Sequence, residues 1–431
     1  MEVSTIFSRI DKVRDPIHGF IYFNEKEKKV INWPEFQRLR HIKQLAFTFY
    51  VYPGAMHSRF EHSLGVMELA TLVFDKLVQK NQDTIRENFQ RISLSIDEAR
   101  QALRLAALLH DVGHLPFSHG GEIILPSGIK HEHVSVAIIE SLCVQLNELF
   151  FENVTDLITQ LIQKNQVLPE LMVLKNILSG SIDCDRMDYL LRDSYHCGVN
   201  YGTFDHKRLL ETLIVLPERT GGLVLGINYG GIHTLEALIL ARYWMFTQVY
   251  MHRTRRIYDI YLSEIVKLWN PDFDPLTKVL NYDDVDFMTY FKACTADPTN
   301  PCHKISTLIC CRQHPSVIYE TSEFADHMTL KEVKGIFEKL TNKYQECNFI
   351  IDLEAKGTIH KFYVRGDEDA GDEFPVIHND RDFLVTDLSK IIDNMKKKFH
   401  VVRIYASTNN KATLMDLKED AKVFEREVKE R

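Results

Sequence analysis

Through most of the first two thirds of the chain, apolar residues recur at three- and four-residue steps, the spacing that lines one face of a helix. The stretches "SLGVMELATLVFDKLVQK" (63–80) and "SIDEARQALRLAALLHD" (95–111) show it most clearly. Ser95 and Glu98 have the spacing of a capping box at the start of the second. The same register predicts helices within 133–146, 171–194, 234–269 and 304–314. A short alternating piece, "GGLVLGINYGG" (221–231), predicts a hairpin or strand. After about residue 317 the pattern changes. "ECNFIIDLEAK", "IHKFYVRG", "FPVIH" and "HVVRIYAS" predict short strands, interleaved with helical register in "MTLKEVKGIFEKLTNKY" and "LVTDLSKIIDNMKKK". The acidic "GDEDAGDEF" (366–374) predicts a surface turn. The expected architecture is a mainly α fold, with a helical core over residues 1–317 and a small α/β domain over 318–431.

Composition narrows the function classes. At 431 residues the chain is long enough for two or three domains. It has no apolar run near the roughly 20 residues that cross a bilayer, and "MEVSTIFSRIDKVRD" carries charge where a secretory leader is apolar. These features predict a cytoplasmic protein without a membrane partner. Eight cysteines without a CxxC pair predict reduced thiols, not a disulfide framework or zinc ribbon. A formal charge of −8 argues against a general nucleic-acid binder, which needs a surplus of Lys and Arg. Basic residues still cluster in "QRLRHIK" (37–43) and "HRTRR" (252–256), which suit either a small polyphosphate or a solvated helix face. No GxxxxGK[ST] loop occurs, which counts against a P-loop kinase or ATPase.

Chemistry concentrates in the histidines, 7 of whose 19 lie between residues 57 and 133. His62 begins one predicted helix; His110 and Asp111 end another, where Gly113 and Pro116 interrupt the helical path. Imidazole nitrogen and carboxylate oxygen together suit a divalent cation such as Mn, Fe, Ni or Zn, with Mg requiring more water. A second carboxylate is expected from "SIDCDRMDYLLRD" (181–193), whose four aspartates stand in a mainly apolar register where an unpaired charge is expensive. Isolated histidines such as His41, His57 and His233 read instead as hydrogen-bonded structural residues.

Six stretches, "DPIHGFI", "FQRLRHIKQL", "YPGAMHSRFEHSLGV", "LLHDVGHLPFSH", "HEHVS" and "IDCDRMDYLLRDSYHCG", resemble, in this order, the HD-domain deoxynucleoside triphosphate triphosphohydrolases. The likeness covers about residues 12–317 and is to the branch of the SAM-and-HD-domain enzyme and its bacterial relatives. It implies a helical phosphohydrolase core with His62, His110, Asp111 and Asp185 as metal ligands. It further implies acid/base and phosphate-contacting roles for His114, His119, Glu122 and His131. Arg59, Arg186 and Tyr189 match phosphate or substrate contacts. Gln44, Leu45 and Asp193 match the positions that read deoxyribose, and His252 and Arg253 match a segment closing over the nucleotide.

The resemblance also implies a homotetramer or dimer, with an activating nucleotide bound between subunits. Here Asn32 stands where the family's guanine-reading pattern has an acidic residue, and Arg14 stands where asparagine is usual, although Arg40 is kept. An amide lacks the charge that favours guanine's paired N–H donors. The first matching motif begins by residue 12, leaving no room for a preceding SAM module within this sequence. The ligand set is shared with hydrolases of nucleoside monophosphates, alarmones and cyclic dinucleotides, which stay open as alternatives, as does a nucleotide sensor with a structural metal.

Overall fold

The computed structural model describes residues 11–163, 167–218, 221–269, 279–363, 372–408 and 410–429. The principal helices are α1 (Arg59–Gln90), α2 (Ile96–Leu109), α3 (His131–Ser141), α4 (Cys184–Cys197), α5 (Ile232–Met245), α6 (Arg253–Trp269), α7 (Asp284–Thr295), α8 (His327–Lys343) and α9 (Lys411–Lys429). Capping fixes where the central ones begin. Glu61 accepts the Ser58 N–H at 2.8 Å to open α1, and Ser95 and Glu98 bond each other's backbone N–H to open α2. α1 bends at Asn81, where the backbone leaves helical geometry. Its buried face packs on α2 and α4, so the two histidine-bearing helix ends and the aspartate-bearing helix meet in one core.

Two of the long helical patterns are interrupted. Over 171–194 the chain forms a short helix (Met172–Ser179), turns at Gly180, and restarts with Asp183 capping α4 by accepting the Arg186 N–H at 2.8 Å. Over 234–269, α5 passes into a π-helical turn (Phe246–Tyr250) before α6 begins. Periodicity alone does not mark such breaks, because the apolar register continues across them.

A buried ion pair ties the N-terminal segment to α2. Arg104 meets Glu27 through Nε (2.6 Å) and a terminal nitrogen (2.9 Å), and Gln101 and the Asn24 N–H complete the carboxylate. Burial pushes the Glu27 carboxyl upward, but the Arg104 hydrogen bond and charge overcome it and hold the group below its usual range. Glu27→Gln is expected to destabilise the fold by about 3–5 kcal/mol at neutral pH, because it leaves a buried guanidinium uncompensated. The carboxylate's contribution is complete above its unfolded pKa of about 4.3 and is lost as pH falls through the lower folded value. Urea titrations at neutral and acid pH should therefore show the two proteins converging in acid; a constant gap between them would contradict this account.

Among the described residues, three small sheets accompany the helices. β1 (Asp11–Asp15) pairs with β2 (Gly19–Phe23), and β3 (Leu213–Pro217) forms with β4 (Leu223–Asn228) the hairpin expected near 221–231. β5 (Ser316–Glu320), β9 (Lys398–Ser407) and β6 (Asn348–Thr358) form an antiparallel sheet in that order, packed against α8 and α9. The third sheet extends the hairpin: β7 (Pro375–His378) joins β4 in parallel, Ile227 beside Val376, and β8 (Arg381–Leu384) follows. Residue 317 falls inside β5, and Phe362, Phe374, Val376 and Phe399 pack into the same core as the helices. The mainly helical fold with α/β elements towards the C-terminus is thus observed, with part of the C-terminal chain woven into the core. The strand expected in "IHKFYVRG" is not formed over 359–363, where Phe362 makes only an isolated bridge to Asp372. The rest of that stretch, and residues 366–371 of the acidic turn, lie outside the described residues. All eight cysteines are free thiols, and no described helix is long and apolar enough to cross a membrane.

Candidate metal centre

His62 sits in the first turn of α1, His110 caps the end of α2, Asp111 follows it, and Asp185 lies in the first turn of α4. Ligand atoms of His62, His110 and Asp111 all fall within 4.8 Å of one another. Asp185 Oδ1 is 3.1 Å from His62 Nε2 and 3.9 Å from His110 Nε2. His110 Nδ1 donates to the Ala107 carbonyl at 2.8 Å, which leaves Nε2 buried with no hydrogen-bond partner among the described residues. A fixed imidazole offering an unpartnered buried nitrogen among carboxylates fits a divalent cation, and the chemistry of the donor set suits one.

Electrostatics supports the same reading. Burial disfavours a charged His62, yet its hydrogen bonds to Asp185 and Asp188 outweigh this and push it up to about 10. Burial raises Asp111, but Arg59, His110 and His114 hold it well below the carboxylate range. Burial likewise raises Asp185, and His62 brings it down to about 2. The carboxylates therefore need a positive partner at neutral pH. A divalent ion there would displace the His62 proton, so binding would release it.

A second group of side chains adjoins the first. His114, His119, Glu122 and His131 bring their ligand atoms within 4.8 Å of one another. Glu122 Oε1 meets His119 Nδ1 at 2.9 Å and His131 Nδ1 at 2.5 Å. The His114 and His131 rings stack with centroids 3.8 Å apart, and His114 Nε2 lies 3.2 Å from Asp111 Oδ1. His114 is fully buried and driven well below its ordinary value by burial, then by Arg59 and His131, so it is neutral. His119 is exposed, with two thirds of its side chain open to solvent. This is one neutral imidazole inside, one accessible imidazole outside, and a carboxylate orienting the latter.

The other expected positions are placed as follows. Arg59, buried, bonds Asp111 and the Ser118 hydroxyl, at 2.8 Å to the latter. Residues 42–44 run beside 57–59, with Arg59 N–H on the Ile42 carbonyl (2.9 Å) and Gln44 N–H on the His57 carbonyl (3.0 Å). Gln44 and Leu45 are thereby set next to the arginine; Gln44 Oε1 is buried without a hydrogen-bond partner among the described residues. Asp193 takes His57 Nε2 on one oxygen and the Tyr250 hydroxyl on the other, both at 2.7 Å. Tyr189 lies edge-on to Tyr250. Arg186 is engaged by Asp183 and the Gly180 carbonyl. His252 lies edge-on to Tyr52, and Arg253 is exposed. Two arginines of the basic clusters are spent inside the fold, Arg38 on the His114 and Tyr282 carbonyls and Arg256 on Asp352, while Arg40 lies over Phe60 at the surface.

Sequence reasoning missed the residues behind the ligands. Asp188, fully buried, receives His62 Nδ1 (2.8 Å), His18 Nε2 (2.6 Å) and Arg192 through Nε and one terminal nitrogen, while the other terminal nitrogen reaches Asp15. The "DPIHG" stretch contains two of these partners, and spacing of three and four from Asp185 and Arg192 on one helix was the available signal. Arg242 on α5 was missed too: its Nη1 is buried with no hydrogen-bond partner among the described residues, and its charge opposes the rise to about 12 that burial imposes on Tyr189. Asp188→Asn is expected to weaken metal binding about 10–100-fold, since an outer partner that orients a metal-binding imidazole is worth that much. A metal titration on protein shown by circular dichroism to be folded checks this, and unchanged affinity would remove the assignment.

A helix-end His-Asp pair met by a histidine and an aspartate from two other helices is the arrangement of the HD domain, and the comparisons agree. The HD domain model matches residues 59–193 and the HD associated region model matches 204–307, so the chain carries an HD domain followed by an HD associated region. An uncharacterized protein of Methanocaldococcus jannaschii is 38% identical over 282 residues, 65% of this chain and 54% of the relative. The mouse (Mus musculus) deoxynucleoside triphosphate triphosphohydrolase SAMHD1 is 36% identical over 239 residues, 47% of this chain and 34% of that protein. A hypothetical protein from Aquifex aeolicus has a crystal structure that aligns over 95% of this chain and 99% of its own, with 27% identity and a TM-score of 0.75. The chain spans about half the length of the first three curated relatives it matches.

Proposed function

We propose that the protein hydrolyses deoxynucleoside triphosphates to deoxynucleoside and inorganic triphosphate, with a divalent metal held by His62, His110, Asp111 and Asp185. The observation that carries the reading is the adjacency of two groups: a cluster with an unpartnered buried His110 nitrogen, and a histidine pair oriented by Glu122 beside it. The likeness to a triphosphohydrolase supports the choice of substrate. So does Gln44, whose buried, unpartnered Oε1 can accept a bond from a sugar hydroxyl, with the buried Leu45 next to it disfavouring a second hydroxyl. Asp193, fixed by His57 and Tyr250, can accept a further bond, since a carboxylate has about four acceptor positions.

The metal, when bound, supplies Lewis acidity toward the α-phosphate and its attacking water. The chain's own residues do the rest. As the water oxygen bonds to the α-phosphorus, losing its proton to solvent, and the bond to the 5′-oxygen breaks, His119 gives that oxygen a proton, with Glu122 holding the ring. His131, stacked on His114, faces the α-phosphate. Arg59 and the free arm of Arg242 neutralise triphosphate oxygens, and Arg186 and Tyr189 line the same side. Assembly as a homodimer or homotetramer with an activating nucleotide between subunits belongs to this reading and rests on resemblance. Arg40 is exposed and available to such a ligand.

Product analysis tests the proposal. Purified protein with Mn or Mg receives each dNTP and rNTP singly and then all dNTPs together, and ion exchange separates triphosphate, pyrophosphate, phosphate and nucleosides. Deoxynucleoside with intact triphosphate is the expected result. Pyrophosphate or phosphate as the only inorganic product, or no turnover of any triphosphate by metal-loaded protein, would return the choice to another phosphoester or to a sensor.

A further inference from the structure

We propose that the start of the HD-associated helix α7 is a clamp on the loop bearing His114 and His119, with Asp284 as its positioning residue. This rests on the catalytic reading of those histidines. Two adjacent aspartates open α7, and they do different things. Asp283 caps the helix, its carboxylate accepting the N–H groups of Val285 (2.7 Å) and Asp286 (3.2 Å). Asp284 is left with no capping duty and is fully buried, pointing away from its own helix. Its Oδ1 accepts the Phe117 N–H at 2.7 Å and its Oδ2 accepts the Lys43 N–H at 3.0 Å, with Lys43 Nζ 3.7 Å away.

Those two N–H groups belong to the two segments that build the site: 114–119 carries the histidines, and 42–45 carries Gln44 and Leu45. Further bonds make the junction rigid. Ser118 Oγ donates to the Lys43 carbonyl at 2.6 Å and accepts from Arg59 Nε at 2.8 Å. Arg38 joins the His114 carbonyl to the Tyr282 carbonyl, both at 2.8 Å. The Phe117 ring stacks on Phe47 (4.5 Å) and Phe291 (6.0 Å) and meets Phe287 edge-on. The loop needs such restraint. Phe117 and Ser118 both have left-handed backbones (φ 59° and 55°), a conformation that side-chain-bearing residues keep only when their surroundings impose it. The carboxylate of Asp284 therefore acts through the loop and touches no reacting atom.

Asp284→Asn tests this with little change of shape, because the amide turns an NH₂ toward one of two N–H donors. On metal-loaded protein without substrate, hydrogen exchange in peptides covering 114–119 is expected to quicken about tenfold or more, while α2 stays protected. Turnover of the best dNTP is expected to fall about tenfold in the otherwise unchanged protein and less than about twofold in a His119→Ala background, with metal content unaltered. Unchanged exchange, or an equal loss in both backgrounds, would overturn the clamp. If the parent protein turns over no dNTP, the triphosphohydrolase reading fails while the exchange experiment still decides the clamp. Should Asp284→Asn not fold, Phe117→Leu, which removes the ring stacking and spares the carboxylate, carries the same two measurements.

Discussion

His110→Ala protein is expected to keep its fold and lose its metal. Of the four proposed ligands, His110 is the one whose removal disturbs least. Asp111 balances the buried Arg59, and His62 is held between Asp185 and Asp188, so deleting either leaves a charge stranded in the core. His110 gives up only the bond from Nδ1 to the Ala107 carbonyl, and its Nε2 makes none within the described chain. Metal affinity should fall by more than the about 10–100-fold that follows loss of an outer partner, and metal-dependent turnover should fall with it. Added metal should raise the melting temperature of the parent and not of the variant, because a ligand stabilises only a state that binds it. A variant that retains stoichiometric metal after gel filtration would show that the ion sits elsewhere.

The second large effect is expected from His119→Ala, with the opposite division of labour. Its ring is two thirds exposed and tied to the protein through one bond to Glu122, so metal content and melting temperature should be unaltered. Turnover should drop about 10²–10⁴-fold, the usual worth of a positioned proton donor. Substrates whose leaving group needs no proton, such as a nitrophenyl ester, should lose far less. Equal loss on both substrates would place His119 in binding, and full turnover would take it out of the reaction. Together the two variants separate the metal from the proton: one loses both activity and ion, the other activity alone.

How far the sequence reaches can be judged residue by residue. Helices α1 and α2 are visible in apolar spacing and capping boxes, because both signals are local. His62, His110 and Asp111 are visible because helix starts and ends have their own residue types, and the structure draws them together with Asp185. Asp188 is a different matter. It shares its helix and residue type with Asp183, Asp185 and Asp193, and its spacing from Asp185 and Arg192 does not say that it faces His62 and His18 while Asp183 caps the helix and Asp193 faces His57 and Tyr250. The histidine and tyrosine partners that set Asp188 and Asp193 apart lie 57 to 170 residues away. The π-helical turn at 246–250 escapes for a related reason: its register matches that of the helices it joins, and its effect, aiming Tyr250 at Asp193, is tertiary.

The parallel pairing of β4 with β7 bears on how the molecule is made. Ile227 leaves a ribosome about 150 residues before Val376, its partner, an interval of roughly 8–30 seconds at about 5–20 residues per second. Through that time the histidine-bearing helices have been synthesised, yet β4 has an open edge and the core lacks Phe374, Val376 and Phe399. An unpaired edge beside exposed apolar side chains is a template for association with other nascent chains. The residues proposed to bind the metal thus leave the ribosome well before the strand that completes this sheet, and a chain caught between the two stages presents that open edge.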